Sequence, residues 1–231
     1  SSLNVEGVIK KNNSVFLNKI NFAESKNLIK VKNINLNSKK KLKRIDQIDI
    51  DLVNNNDQIS QLNIKRKKSN YSINSKIFDG TKILDRILFS KSDRNFFDVF
   101  EKLNSKITIN FNTIYITNED YLTNFKADMI VNNNQIKDLV LSSQFSTKED
   151  LKLSIKTNSN NERITDLFAG NAKPLVKKYD FIKGFEGGYL KFDSIEKNKV
   201  SNSNLKIFDF KLKEVPALTK LLTLASLQGI A

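Results

Sequence analysis

Cysteine, histidine and tryptophan are absent from the 231 residues, which include only two prolines, seven glycines and one methionine. Each gap excludes a kind of chemistry. Without Cys there is neither a disulfide framework nor a thiol nucleophile, without Cys and His there is no Cys/His zinc site, and without His no Ser-His-Asp relay forms. A hydrolase or transferase made from this chain would have to run on carboxylates and lysines, so no catalytic residue, metal ligand or cofactor is expected. No run of about 18 apolar residues occurs, so no segment has the sequence of a bilayer-spanning helix. With so few Gly and Pro there is no linker between domains, and one continuous assembly is expected.

The charge is one-sided, with 39 Lys+Arg against 25 Asp+Glu, a formal net charge of +14 and a pI near 9.7. Only Arg44, Arg66, Arg86, Arg94 and Arg163 are arginines; the other 34 basic residues are lysines. A nucleic-acid reader favours Arg for bidentate contacts with bases and phosphates. Lys, Asn and Ile are residues of A/T-rich codons, so the basicity is read as codon bias plus a solvated outer face, and no nucleic-acid partner is expected. Such a surface keeps a protein soluble and weakly attracted to anionic membranes. At 39% hydrophobic residues the chain can bury a core.

The dominant pattern has period two. Phe125, Ala127, Met129 and Val131 share one parity until Asn132-Asn133-Asn134 interrupts them. Leu139, Leu141, Ser143 and Phe145 follow, then a break at Thr147-Lys148-Glu149-Asp150, then Leu151, Leu153 and Ile155 with lysines opposite. Strands joined by turns this short make an antiparallel meander. Ile48, Ile50 and Leu52, then Leu62 and Ile64, then Tyr71, Ile73, Ser75 and Ile77 repeat the unit earlier. After Ile29 and Val31 the parity shifts to Ile34 and Leu36, which predicts a bulge.

About twelve strands are expected, broken by three helical stretches. The meander spans 1–78 and 105–158, with further strands over 184–213. An insert over 79–104 carries Ile83, Leu84, Ile87 and Leu88, then Phe96, Phe97, Phe100 and Leu103, at helical spacing. A break over 159–183 carries Ile164, Leu167, Phe168, Leu175 and Val176 and is split by Pro174, and a helix over 214–231 carries Leu218, Leu221 and Leu222. The class is mainly β.

An amphipathic meander must hide its apolar face as a sandwich or small barrel, an outer-membrane barrel, a solenoid or an open groove. Period two alone does not choose among them. Many runs last about seven residues, short of the about 9–11 of a membrane-spanning strand.

Several polar groups invite a function. Lys39-Lys40-Lys41-Leu42-Lys43-Arg44 and Lys65-Arg66-Lys67-Lys68 have the charge to hold phosphates or lipid headgroups, but lack the interleaved aromatics of single-strand binders. They are expected as solvated turns. Glu186 with Asp193, or Asp49 with Asp51, would be the carboxylate pairs of a glycosidase, yet Asp49 and Asp51 fall on the solvent parity where nothing raises a pKa. Gly184-Phe185-Glu186-Gly187-Gly188 is followed by a strand and no Lys-Ser/Thr pair, so it is a positive-φ turn or a close backbone approach rather than a phosphate loop.

Gly187-Gly188-Tyr189-Leu190, then Ile207-Phe208-Asp209-Phe210, then Val215-Pro216-Ala217-Leu218 with Leu221-Leu222, then Ala225-Ser226-Leu227-Gln228-Gly229-Ile230 resemble the AsmA-like family of Gram-negative envelope proteins. The close match covers residues 187–231 and departs at Val215, often Ala in the family, and at Asn202 and Ser203, often Gly. The resemblance implies a long antiparallel sheet curled into an open β-groove. It also implies a periplasmic segment of an inner-membrane-anchored protein that conducts phospholipids toward the outer membrane, flanked by neighbouring groove segments of the same chain. The start at Ser1-Ser2-Leu3 and the stop after the Ala-Ser helix are read as cuts from something longer.

Lipid transfer needs an apolar strip and no nucleophile, which agrees with the residues present. The expected lining is Phe125, Met129, Val131, Leu139, Leu141, Phe145, Leu151, Leu153, Ile155, Leu190 and Phe192. The alternative is a non-enzymatic sandwich or solenoid that contacts anionic polymer through its lysines, with the same apolar residues as ordinary core.

Overall fold

Alternating apolar and polar residues with many Ile, Val, Phe and Tyr favour extended backbone, because β-branched and aromatic side chains pack well on a pleated surface. The computed structural model describes residues 1–53, 59–81, 96–178, 184–198 and 200–213. They form thirteen strands: β1 Ser2–Ile9, β2 Val15–Glu24, β3 Asn27–Leu36, β4 Leu42–Val53, β5 Ile59–Lys67, β6 Asn70–Asp79, β7 Ser105–Tyr115, β8 Tyr121–Asn132, β9 Gln135–Phe145, β10 Asp150–Thr157, β11 Arg163–Ala169, β12 Phe185–Lys197 and β13 Val200–Leu212. All belong to one sheet whose spatial order is the chain order. The sheet is not closed into a barrel. Nor is there a second sheet among the described residues for it to face as a sandwich.

Asparagine does the work that glycine does in most hairpins. Asn133 and Asn134, at φ 48° and 63°, make the two-residue turn between Asn132 and Gln135. Two successive positive φ values match the right-handed twist of the flanking strands, and Asn tolerates them because its short amide bonds locally. Asn13, Asn161 and Asn198 hold positive φ in other turns. In the β10–β11 turn, Asn158 Oδ1 accepts from the backbone N–H of Asn160 and Glu162 at 2.9 and 3.0 Å.

The parity shift in β3 has a different origin from the expected bulge. Asn33 sits mid-strand at φ 53°, and the register with β4 runs on across it, Val31 opposite Ile48 and Ile34 opposite Ile45. One left-handed residue rotates the strand by half a pleat, so Ile29, Val31, Ile34 and Leu36 stay on one face. The β3–β4 register shifts only later, between Asn35 and Leu36. Asp209 at 54° in β13 and Gly187 and Gly188 at 68° and 74° in β12 act likewise, whereas Asn124 at φ 52° stands in β8 where the register with β9 shifts, between Thr123 and Lys126. The glycines therefore lie inside a strand rather than in a turn. A Cβ on Gly188 would stand 2.6 Å from the Phe208 carbonyl oxygen, so that position is the close approach.

Three expectations are corrected. The meander is interrupted once, since β6 pairs with β7 in parallel, Tyr71 opposite Ile107 and Asp79 opposite Tyr115. The chain between them must return to the end it left. Within that insert Phe96–Val99 is a 3-10 turn rather than a short helix, while Ile83, Leu84, Ile87 and Leu88 lie outside the described residues. Finally, residues 163–169 are strand β11, not helix, and among the described residues the helix α1 is Lys173–Lys178. Ile164 and Phe168 lie on the face opposite Leu167, and apolar residues on both faces of a strand imitate helical spacing. Pro174 does not split this helix but stands in its first turn, where its missing N–H has no helical partner to lose. The helix expected over 214–231 lies outside the described residues.

Among the described residues the apolar face is covered by residues from outside the strands at two places, and a third cluster, Ala127, Leu139 and Ile155, is buried within the sheet itself. Phe97 and Leu103 pack with Ile45, Tyr71, Ile107 and Val131, and the Glu101 N–H donates to the Leu42 carbonyl at 2.8 Å. Beyond the other end of β7, Ala172 and Val176 are fully buried against Ile114, Leu122, Phe145, Ala169, Phe185 and Leu190. Each such large side chain contributes about 1.5–3 kcal/mol.

Candidate functional site

The register of the ladders places one apolar residue of every strand in a single row. From β1 to β13 it runs through Val5, Ile20, Val31, Ile48, Ile64, Ile73, Ile109, Ala127, Leu141, Leu153, Leu167, Phe192 and Leu205, each directly opposite the next. At 4.7–4.9 Å per strand the row is about 58 Å long along the sheet. From β2 to β12 these side chains are half-buried, apart from the buried Ala127. Among the described residues no second layer seals them, and they are not free in solvent either. The row passes between the two covered patches: in β7, Ile109 lies between Ile107, under the Phe97 patch, and Phe111, in the Val176 patch.

The neighbouring residues form a row on the opposite face: Glu6, Lys19, Lys32, Gln47, Lys65, Ser72, Thr108, Asp128, Val140, Ser154, Asp166, Asp193 and Asn204. Twelve of the thirteen are polar. The sheet is therefore two-sided along its whole length, which follows from the pleat once every strand is in this register.

Leu141, Leu153 and Phe192 of the expected lining stand in the row. Met129, Leu139 and Ile155 flank it on one side, and Phe125, Leu151 and Leu190 on the other, as successive cross-strand partners show. Val131, Leu139, Phe145, Ile155 and Leu190 are at most 7% exposed and belong to the packed clusters, so they support the face more than they line open space. The row residues of β1–β7 carry the same alternation, yet they were not part of the expected lining, and Leu167 was hidden inside the expected helix.

The other candidates separate. Asp49 accepts from Gln47 Nε2 at 2.6 Å and from Asn63 Nδ2, and Asp51 accepts from Gln61 Nε2 at 3.1 Å, all polar neighbours. Glu186 pairs with Lys213 at 2.7 Å and Lys173 at 3.8 Å, and the Lys213 hydrogen bond holds its carboxyl below the usual carboxylate range. Asp193 lies instead opposite Asp166. Phe168, Tyr189 and Phe208 cluster on the largely polar face, Phe168 tilted against Tyr189 at 6.2 Å and Tyr189 stacked on Phe208 at 4.9 Å between ring centres, with Lys191 Nζ 5.9 Å from the last two. No group of three or more potential metal-ligating residues occurs among the described residues.

The first basic cluster is stitched to its surroundings. Lys40 Nζ donates to the Asn13 carbonyl at 3.1 Å, Lys41 Nζ to the Asp98 carbonyl, and Lys43 pairs with Glu101 at 3.6 Å. Arg44 forks onto Asp46 at 2.6 and 2.8 Å, and Arg66 of the second cluster reaches the same carboxylate at 3.6 Å. The Arg44 hydrogen bond, with Asn33 and Arg66 assisting, keeps Asp46 below the usual range.

Fold and site together define a class, an open single-sheet β-groove with an uninterrupted apolar row. Comparison of the chain with family models, curated proteins and solved structures finds no match.

Proposed function

We propose that this chain is a phospholipid-binding segment of a bridge-like carrier of the AsmA-like kind, working in the periplasm as part of an inner-membrane-attached protein. The observation that carries the proposal is the apolar row crossing all thirteen strands. An acyl chain laid on it exchanges water for carbon contact worth about 0.8 kcal/mol per methylene, and its headgroup stays in water at the open side. Every position along the row offers much the same contact, so lipid held there is able to slide. The work is non-covalent and uses no catalytic group or cofactor. Neighbouring groove segments dock at the edge strands β1 and β13, where Val5 is 50% and Leu205 48% exposed, and longer chains of such segments join the inner and outer membranes.

Native mass spectrometry after purification without detergent tests this. Co-purified phospholipid is expected, and its extraction should lower the melting temperature. A chain that purifies lipid-free, takes up none from vesicles and melts unchanged in their presence refutes the proposal.

A further inference from the structure

The polar face carries a concavity that the apolar row does not explain. It measures about 590 Å³ and is lined by Lys32, Arg44, Asp46, Lys65, Arg66 and Lys68, with Asn33 and Gln47 completing the wall. The apolar partners of these strands, Val31, Ile34, Ile45, Ile48 and Ile64, turn to the covered face. Five cations therefore meet a single carboxylate.

The concavity comes from the irregularity in β3. Asn33 leaves the pleat in the left-handed region, and its Nδ2 donates to Asp46 Oδ2 at 3.2 Å. Asp46 in turn takes both forks of Arg44 and faces Arg66. Asp46 is thus consumed as a strut that fixes two guanidiniums belonging to strands β4 and β5, and Arg44 bonds it through only two of its three nitrogens. Lys32 and Lys65 lie on either side of Gln47 in register, and Lys68 stands in the β5–β6 turn at φ 58°. Among the described residues these three lysines pair with no carboxylate, unlike Lys43, Lys106, Lys152, Lys173, Lys177, Lys197 and Lys213.

Pinned guanidiniums beside unpaired ammonium groups suit a compact anion with several oxygens. Each oxygen meets a charged donor, and the positioned forks lose little freedom on binding. The number of cations exceeds what a single carboxylate ligand would satisfy, which favours a phosphate carrying two charges or more. We infer that the concavity around Asp46 is a binding site for a phosphate-bearing anion, either a soluble polyphosphate or a phosphomonoester headgroup, on the face opposite the apolar row. This site is independent of the lipid groove.

Titration of the whole chain with inorganic pyrophosphate, and separately with phosphatidylcholine vesicles containing phosphatidic acid, tests it. The variants are K32Q/K65Q/K68Q, which spares the Asp46 strut, and K10Q/K11Q/K26Q, which removes the same charge from the β1–β2 and β2–β3 turns. Circular dichroism melting establishes that both fold. Pyrophosphate affinity at least tenfold lower in the first variant and less than twofold lower in the second upholds the site with a soluble anion. The same ratio with vesicles alone upholds it with a headgroup. Equal losses in both variants, which would mean diffuse attraction, or binding to neither probe, overturns it.

Discussion

Leu153 and Lys152 are adjacent in β10 and point to opposite faces, which makes them a matched test of the groove. Leu153→Asp interrupts the apolar row between Leu141 and Leu167. At about 0.8 kcal/mol per methylene equivalent, losing the leucine's four side-chain carbons removes about 3 kcal/mol of contact with a bound acyl chain. Leaving an unpartnered carboxylate facing that chain costs about 1–3 kcal/mol more. Together that is about 4–6 kcal/mol, or about three to four powers of ten in lipid affinity. The lipid-free protein loses less, about 1–2 kcal/mol, because Leu153 is only half-buried there and its replacement can be hydrated. Lys152→Asp introduces the same side chain one residue earlier. It deletes an ion pair with Asp150 at 2.7 Å whose lysine is 61% exposed, a contact worth about 0–1 kcal/mol. Lipid occupancy by native mass spectrometry and displacement of a fluorescent fatty acid read the affinities, and urea melts read stability. Retention of lipid by Leu153→Asp, or equal loss from both variants, would refute an apolar conduit. Met129→Asp, beside the row, should behave like Leu153→Asp.

Other consequences follow from the backbone and from Asp46. Gly188→Ala meets the Phe208 carbonyl at 2.6 Å at φ 74°, whereas Gly187→Ala meets only the Asp209 carbonyl at 3.8 Å; urea denaturation should show a loss of about 1–2 kcal/mol for Gly187→Ala, from its φ alone, and a clearly larger one for Gly188→Ala. Asn124 is exposed at φ 52°, and its side chain makes only a long 3.4 Å bond to Gln144 Oε1. Asn124→Val should therefore cost about 1–2 kcal/mol by the same measurement and Asn124→Gly much less, and equal losses would contradict a backbone origin. Because the folded protein lowers the Asp46 pKa, its contribution to stability is present above the unfolded value near 4 and is lost as pH falls below that. Melting curves from pH 7 to 3 should show a steeper acid loss for the native sequence than for Asp46→Asn; parallel profiles would remove Asp46 from the account.

Strand content was legible because period two over Phe125–Val131, Leu139–Phe145 and Leu151–Ile155 is a local property of the chain, and so were the turns at Asn132–Asn134 and Thr147–Asp150. Each mistake came from a place where two faces or two distant segments decide. Residues 163–169 carry apolar side chains on both sides, so their strand character depends on β10 and β12 pairing with them. The parallel pairing of β6 with β7 rests on how the insert returns, which no local pattern encodes.

By itself the sequence settled that the protein is β-rich, one-sided in each strand, and without the side chains of thiol, histidine or zinc chemistry. Only the tertiary structure decided that the thirteen strands align their apolar residues into one row instead of closing on themselves. The reason is that alternation fixes which residues share a face, while register, set across strands by turns and mid-strand left-handed residues, fixes which of them touch. The same distinction explains Asp46, an ordinary polar position in β4 until register places Asn33 and Arg66 beside it.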